Sequence, residues 1–451
     1  MANEPFPPRF FSANLINIMH EEKETLIIFT RYPVAGEAKT RLIPALGKDG
    51  AADMQRKMTE ATLCHARKTG AAIEVWYTGG TEKQMQTWLG DDLRYVDQGE
   101  GELSDRMESA FQTAFQRGIK RVVLIGGDCP SNRADNIMAA FEALKKSDVV
   151  LGPSTDGGYY LIGLRSYVLQ LIMFEDIDWS SAHEINLTLS SAAGVRLTRL
   201  PTLCNIDTPE DIPPIISVVI PTLNAAETMG SMLGRVLDSF GIEVIVVDGG
   251  SEDDSMAYAD AAGAKMIETS SGRAHQMNAG ANASIGKILL FLYPNTLLPE
   301  NWDVIIRKTL SDDVALGAFA FSLNERLPGI KLIEWGVRVR STAFALPYGD
   351  QGFFMKRETF DKIGGFPDQP IMEDYELVRR MRKLGQIVTL DTPIVSSSDR
   401  WKKHGVWKTL FMNQLILFAY RFHIPQKWLG TFCKETPDHT RIDSTQVTQL
   451  N

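Results

Sequence analysis

Two stretches of this chain place cations beside a glycine turn, and several apolar runs end in an acid, residue types suited to phosphate and metal chemistry. The first stretch reads Arg31-Tyr32-Pro33-Val34-Ala35-Gly36-Glu37-Ala38-Lys39-Thr40-Arg41-Leu42. Gly36 permits a loop with exposed N–H groups, and Lys39 and Arg41 add positive charge, a way to hold a triphosphate. The same residues also suit a solvated basic loop before a helix, and the GxxxxGK[ST] pattern of a P-loop is absent. Asp128 follows Ile125-Gly126-Gly127, and Asp207 follows Asn205-Ile206, so each ends a short apolar run. Two such carboxylates in one cleft suit Mg²⁺ bound to nucleotide phosphates. Each taken alone also suits a cap or a turn. Between them, Gly157 and Gly158 in Asp156-Gly157-Gly158-Tyr159-Tyr160 allow close backbone approach to a ligand, with tyrosines that either stack on it or pack.

The second half repeats the pattern. Pro221-Thr222-Leu223-Asn224 ends one apolar run with polar groups, and Asp248-Gly249-Gly250-Ser251 ends the next with a carboxylate on a glycine turn. Asp248 at such a strand end can accept from a base or a ribose hydroxyl, and also suits an ordinary turn with Ser251 as N-cap. Gly272-Arg273-Ala274-His275-Gln276-Met277-Asn278 is cationic and amide-bearing, fit for a diphosphate or for a helix surface. Glu373 and Asp374 open a helix expected to run to about Leu384. Acids are favoured there by the helix dipole in any case. Either could also serve as general base for an acceptor hydroxyl; neighbouring residues point differently, which leaves one of the two, and Asp374 is the choice.

Elements of an α/β chain must position these residues. Expected strands are 26–29, 73–77, 122–125 and 149–151, then, after Pro209, Pro213 and Pro214, 216–220, 244–247, 265–267 and 288–293, with amphipathic helices between. Each half opens with a strand, a proline (Pro33 or Pro221), a polar loop and a helix, and ligands of such sheets sit at strand carboxyl ends. The expected division is a tail over 1–20, domains over 21–213 and 214–435, and a tail over 436–451. The joint is short and proline-bearing, without a Gly/Ser run, so the halves are expected to keep a semi-fixed relation.

The whole chain has 451 residues, 44% of them hydrophobic and 23% charged, which is globular composition and excludes a disordered chain. A net charge of −9 excludes a global field for nucleic acid. No apolar run reaches the roughly 18–20 residues of a membrane span. The four cysteines lack CxxC spacing, which points to a reducing cytoplasm. The stretch 406–425 mixes aromatics with Lys408, Arg421 and His423. It suits a core or acceptor-lid helix, or else an interfacial helix giving peripheral contact at the inner membrane face.

In order, GxxKTRL, GDCP, DGGYY and DTPED over about residues 24–213 resemble the transferase-1 family found beside radical-SAM and selenodomain genes, itself similar to phospholactate guanylyltransferases. The resemblance implies a GT-A-like, Rossmann-like domain with phosphate contacts at Gly36, Lys39 and Arg41 and metal ligands Asp128 and Asp207. The family carries both nucleotidyltransferase and glycosyltransferase labels. SVVIPTLN, VVDGGSED, GRAHQMNAG, YGDQGFF, GGFPD and MEDYEL, over about 215–430, look like an inverting family 2 glycosyltransferase of the arsenosugar-biosynthesis type. This implies a second GT-A fold, a nucleotide-sugar donor bound around Pro221, Asn224, Asp248, Gly250, Ser251, Arg273, Gln276 and Asn278, and Asp374 as base. Arg400 and Trp401 resemble the family's RW element over the donor diphosphate.

Two departures stand out. Tyr293-Pro294-Asn295-Thr296 replaces the branch's usual His-Ala-Asp-Thr, so Asn295 offers a neutral amide oxygen where a carboxylate would bind Mg²⁺ or Mn²⁺. Ala225 replaces the usual Glu, with Glu227 close by. The expectation is a bifunctional transferase in two tandem α/β domains with mostly parallel sheets. The first half would be a nucleotidyl- or glycosyltransferase that handles a nucleoside triphosphate or nucleotide-sugar together with a sugar phosphate. The second would move a sugar to an acceptor hydroxyl. The alternatives for the second half are a nucleotide-sugar binding module without catalysis, or a membrane-surface lipid or carotenoid glycosyltransferase.

Overall fold

The computed structural model describes residues 24–170, 194–325, 329–369 and 371–398, together with 402, 405 and 420. The chain divides into two compact units, Met1–Asp211 and Ile212–Asn451. In unit 1 the strands are β1 (Glu24–Arg31), β2 (Ala72–Thr78), β3 (Arg94–Asp97), β4 (Arg121–Gly126), β5 (Val149–Pro153), β6 (Tyr159–Arg165) and β7 (Leu197–Arg199). They form one sheet in the order β3-β2-β1-β4-β6-β5-β7. The helices are α1 (Ile43–Arg67), α2 (Glu82–Leu89), α3 (Leu103–Gln116) and α4 (Ala134–Leu144).

Burial on both sheet faces explains why the central strands are unbroken apolar runs. Ile27 and Phe29 of β1 join one core cluster with Val122 and Leu124, while Leu26 and Ile28 join the opposite one with Val123 and Ile125. Strand geometry turns successive side chains to opposite faces, so one run feeds two cores.

Unit 2 has β8 (Ile216–Thr222), β9 (Ile242–Asp248), β10 (Lys265–Glu268), β11 (Ile288–Phe291), β12 (Thr296–Leu297), β13 (Val314–Leu323), β14 (Phe353–Lys356) and β15 (Gln386–Ser396). Its helices are α5 (Ala226–Leu237), α6 (Ser255–Ala261), α7 (Arg273–Ala283), α8 (Trp302–Thr309), α9 (Ile330–Ala343), α10 (Arg357–Lys362) and α11 (Glu373–Met381). The sheet order is β10-β9-β8-β11-β14-β13-β15-β12. Without the two-residue β12, this is the order of unit 1, and strand polarity matches as well. The first four strands are parallel, the next two pairings antiparallel, and the pairing after that parallel. Both units are thus α/β with mostly parallel sheets, as expected from the alternating pattern.

Three local expectations are corrected. The strand expected over 288–293 ends at Phe291. Leu292 still donates to the Val219 carbonyl at 3.0 Å, and Tyr293 follows in the turn beyond. The helix expected to reach Leu384 ends at Met381. Ser251 caps no helix, because α6 begins only at Ser255.

Helix α7 carries Arg273 and lies tight on the sheet through Gly280. A Cβ there would stand 2.4 Å from Val219 and 2.9 Å from Val247. Val219 and Val247 are both fully buried. Gly280→Val therefore overpacks this contact and should destabilise unit 2 by about 1–3 kcal/mol. A urea melt that leaves the unit 2 transition within experimental error of the unaltered protein would refute that packing.

Candidate functional site

In unit 1 the chain leaves β1 through a tight loop in which Glu37 and Ala38 donate to the Val34 carbonyl at 3.1 and 3.0 Å. Gly36 takes φ +88°, and its Cα faces the side chain of Lys48. Lys39 then adopts left-handed backbone, φ 44° and ψ 51°, before a 3-10 turn over Thr40–Leu42. That conformation costs a non-glycine residue roughly 1–3 kcal/mol and is found at sites where geometry matters. It aims the Lys39 ammonium at both candidate metal ligands, 2.6 Å from Asp207 Oδ1 and 3.3 Å from Asp128 Oδ2. Ile206 N–H donates to the Asp128 carbonyl at 2.9 Å, so backbone ties the two acidic segments together. Asp211 accepts from the Asp207 and Thr208 N–H groups and fixes the turn that presents Asp207.

Burial alone would lower the Lys39 pKa, but the charges of Asp128 and Asp207 outweigh it and raise it. The ammonium is therefore charged at neutral pH. Arg41 is exposed beside it. Asp156 accepts from Gly158 N–H at 2.9 Å and from Asn205 Nδ2 at 3.3 Å, which links the Gly157-Gly158 turn to the segment ahead of Asp207. The tyrosines pack: Tyr160 is buried with its hydroxyl on the Pro201 carbonyl, and the Tyr159 hydroxyl meets the Met107 sulfur.

Sequence reasoning missed a buried polar support behind Asp128. The Thr30 and Thr59 hydroxyls bond each other at 2.7 Å and both accept from Gln55 Nε2. A Cβ on Gly127 would lie 3.2 Å from each hydroxyl. Gln98 Nε2 donates to the Thr30 and Trp76 carbonyls, bridging the ends of β1 and β2. Gln98 directly follows Tyr95-Val96-Asp97, so the strand-end rule that picked out Asp128 would also have found it.

Unit 2 holds two clusters joined by α7. In the first, the Asp248 carboxylate accepts from the Gly250 N–H at 3.0 Å, the Ser251 N–H at 2.9 Å and the Ser251 hydroxyl. Asn224, at φ 49°, donates its N–H to Ser251 Oγ and accepts from Glu252 N–H through its side chain. Pro221 is buried at the strand end. Ala225 donates its N–H to Ser255 Oγ at 2.8 Å, and Glu227 lies exposed in the first turn of α5. Gln276 is buried, and its Nε2 donates to the Thr222 and Val247 carbonyls, both at 2.9 Å. Asn278 makes a two-way pair with the Phe366 backbone, both bonds 2.9 Å. These two amides anchor backbone here, where the sequence suggested donor contacts.

The second cluster lies around the start of α11. Met372 takes φ 65°, a second strained approach. Asp374 Oδ2 accepts from Gly349 N–H at 3.1 Å, and Oδ1 from its own neighbour Tyr375 N–H at 2.7 Å. Glu373 points the other way into the protein, 2% exposed, with Arg273 Nε 3.2 Å from its carboxylate. Arg273 also stands 5.5 Å from the Tyr293 ring centroid. A Cβ on Gly349 would be 2.5 Å from the Tyr293 hydroxyl and 3.6 Å from Asp374 Cβ, so Tyr293, Gly349 and Asp374 converge. Burial pushes the Glu373 carboxyl up against the pull of Arg273. Burial likewise opposes the Arg273 charge, yet Glu373, Tyr293 and Asp374 raise its pKa and keep it a cation.

Asn295 is exposed, its Oδ1 accepting from the Thr296 hydroxyl at 3.3 Å. Among the described residues no group of three or more His, Cys, Asp or Glu side chains gathers to hold a metal. The fit for a divalent ion is in unit 1, where a cationic stand-in, the Lys39 ammonium, bonds two carboxylates at once; Mg²⁺ asks for one or two carboxylates with phosphate oxygens completing its shell. Arg400, Trp401 and nearly all of 406–425 lie outside the described residues. Among the described residues no helix is long and apolar enough to cross a membrane.

Comparison with known proteins gives two family matches. Residues 62–181 match the model described as "Uncharacterized protein conserved in bacteria (DUF2064)". Residues 217–322 match "Glycosyl transferase family 2". No curated protein matches the chain. Among solved structures, one from Desulfovibrio desulfuricans described as a nucleotide-diphospho-sugar transferase is 30% identical, covering 42% of this chain and 83% of its own, TM-score 0.39. A mannosyltransferase from Pyrobaculum calidifontis in complex with GDP-Man and Mn²⁺ is 20% identical over 46% of this chain and 65% of its own, TM-score 0.38. Glucosyl-3-phosphoglycerate synthase from Mycobacterium tuberculosis, in complex with Mn²⁺, UDP and glucosyl-3-phosphoglycerate, is 20% identical over 41% and 71%, TM-score 0.32. The chain therefore joins a segment of the DUF2064 family to a glycosyl transferase family 2 domain.

Proposed function

We propose that unit 2 transfers a sugar, with inversion, from a nucleotide-sugar to an acceptor hydroxyl, and that unit 1 performs nucleotidyl transfer between a nucleoside triphosphate and a sugar phosphate. For unit 2 the reading is carried by Asp374. Two backbone N–H groups orient its carboxylate, and Arg273 contributes to the charge around it. In this reading Asp374 takes the proton of the acceptor hydroxyl as its oxygen attacks the anomeric carbon, and the nucleoside diphosphate departs. Arg273 offsets the charge that develops on the leaving diphosphate. Asp248, Asn224 and Ser251 form the turn against which the nucleoside would rest.

For unit 1, Asp128 and Asp207 would hold a divalent ion, which supplies charge neutralisation on the phosphates. Lys39 and Arg41 add positive charge beside them, and Gly36, at φ +88°, permits the turn that carries them. Such transfer needs positioning and charge more than covalent help from protein. Mg²⁺ and Mn²⁺ both suit the two acids. The sugar 1-phosphate attacks the α-phosphorus, pyrophosphate leaves, and the product is a nucleotide-sugar of the class unit 2 would consume.

The test is a panel assay on the full chain with Mn²⁺ or Mg²⁺. Release of a nucleoside diphosphate from one donor, dependent on an added hydroxyl acceptor, is the expected result for unit 2. Tight donor binding without release would favour the second reading, a binding module without catalysis, to which exposed Asn295 in the place of an acidic ligand lends support. Pyrophosphate release from one of the four common triphosphates with a sugar 1-phosphate is expected of unit 1, and its absence across the panel overturns that half.

A further inference from the structure

The cation between Asp128 and Asp207 is a side chain of the protein. Lys39 reaches both carboxylates from a loop of its own unit, and its side chain is only 10% exposed while those of the two acids are about one third exposed. Its backbone is held in the left-handed region to do so. A lysine meant only to meet incoming phosphate would gain nothing from that strain in the absence of ligand. Arg41, exposed two residues on, and Lys48, whose side chain packs against Gly36, are further cations in the same loop region.

We propose that Lys39 is an internal counter-ion that keeps free divalent cations out of unit 1, so that metal enters only together with the phosphates that draw the ammonium away. Two carboxylates this close repel each other unless a positive charge lies between them. The ammonium fills that role, and a free metal ion arriving alone must expel it into solvent with no anion to receive it. A metal that arrives on a polyphosphate brings the exchange partner along: the ammonium gives up two carboxylates and takes a phosphate in their place. The switch makes binding ordered and leaves the pair of acids, without metal, carrying one net negative charge where two would otherwise stand. It rests on the reading of unit 1 as a phosphate-handling site.

The experiment is calorimetric titration of the full chain with Mn²⁺ alone and with preformed Mn²⁺–tripolyphosphate. For the unaltered protein the complex should bind at least about tenfold tighter than the bare ion. Lys39→Met should bind bare Mn²⁺ at least about tenfold tighter than the unaltered protein, and the further change Asp128→Asn should remove that gain. Lys39→Gln, which keeps a hydrogen-bond donor, provides the same comparison if the methionine variant does not fold. Bare Mn²⁺ that binds the unaltered protein as well as the complex does, or folded Lys39 variants with unchanged or weaker Mn²⁺ binding, would overturn the proposal. Failure of the nucleotidyl reading looks different: the Mn²⁺ comparisons hold, yet no triphosphate gives pyrophosphate with any sugar phosphate.

Discussion

Asp374→Asn should lower acceptor-dependent release of nucleoside diphosphate by on the order of 10²–10⁴-fold while donor binding, followed by thermal shift, stays unchanged. The substitution keeps shape and one oxygen. The Gly349 and Tyr375 N–H groups bond different oxygens of the carboxylate, so one of them keeps an amide oxygen as acceptor and the other loses its partner. What is lost is the ability to take a proton. Glu373 cannot substitute, because its carboxylate is 2% exposed and committed to Arg273. A loss of less than about threefold would remove Asp374 from the base role and with it the inverting mechanism proposed for unit 2.

The second large effect belongs to unit 1. Asp128→Ala removes one of the two oxygen ligands proposed for the metal and, on that reading, should cut pyrophosphate release by on the order of 10³-fold, since metal neutralisation of the phosphates is worth several kcal/mol. Asp207 retains its bond to Lys39 at 2.6 Å, so the loop should stay in place and the unit should stay folded. Sugar transfer from a supplied nucleotide-sugar is the companion readout and should not change. Pyrophosphate release within threefold of the unaltered protein would show that Asp128 binds no catalytic metal.

The strands that carry the site were legible because they are buried on both faces. Leu26 to Phe29 or Val244 to Val247 cannot be read as anything amphipathic, and the strand-end rule then led directly to Asp128 and Asp248. The later half of each sheet was harder. Strand β6 begins at Tyr159, inside a motif whose glycines and tyrosines drew a ligand reading, and its antiparallel partners β4 and β5 are set by long-range pairing that no local window contains.

At the site, Asp128 and Asp207 were legible as acids that end short apolar runs, although Asp207 lies in a loop well past the end of β7, and their shared partner was not legible. Lys39 looked like a phosphate contact because the left-handed turn that redirects it has no sequence mark; a glycine would have announced it and a lysine does not. Gln276 and Asn278 looked like donor contacts because their amides suit that role. Only the fold reveals that Thr222, Val247 and Phe366 backbone groups already use them. For Glu373 and Asp374, adjacency on a helix was enough to say that the two point differently, but that Glu373 is the buried one came only with the fold.

One strand order with one set of polarities, built twice in a single polypeptide, gives the molecule its own reference standard. A substitution confined to one copy can be measured against its twin in the same tube, at the same concentration and in the same buffer. Heating should yield two separable transitions, only one of which moves. Errors in protein quantitation would then cancel from any ratio of the two activities proposed for the units.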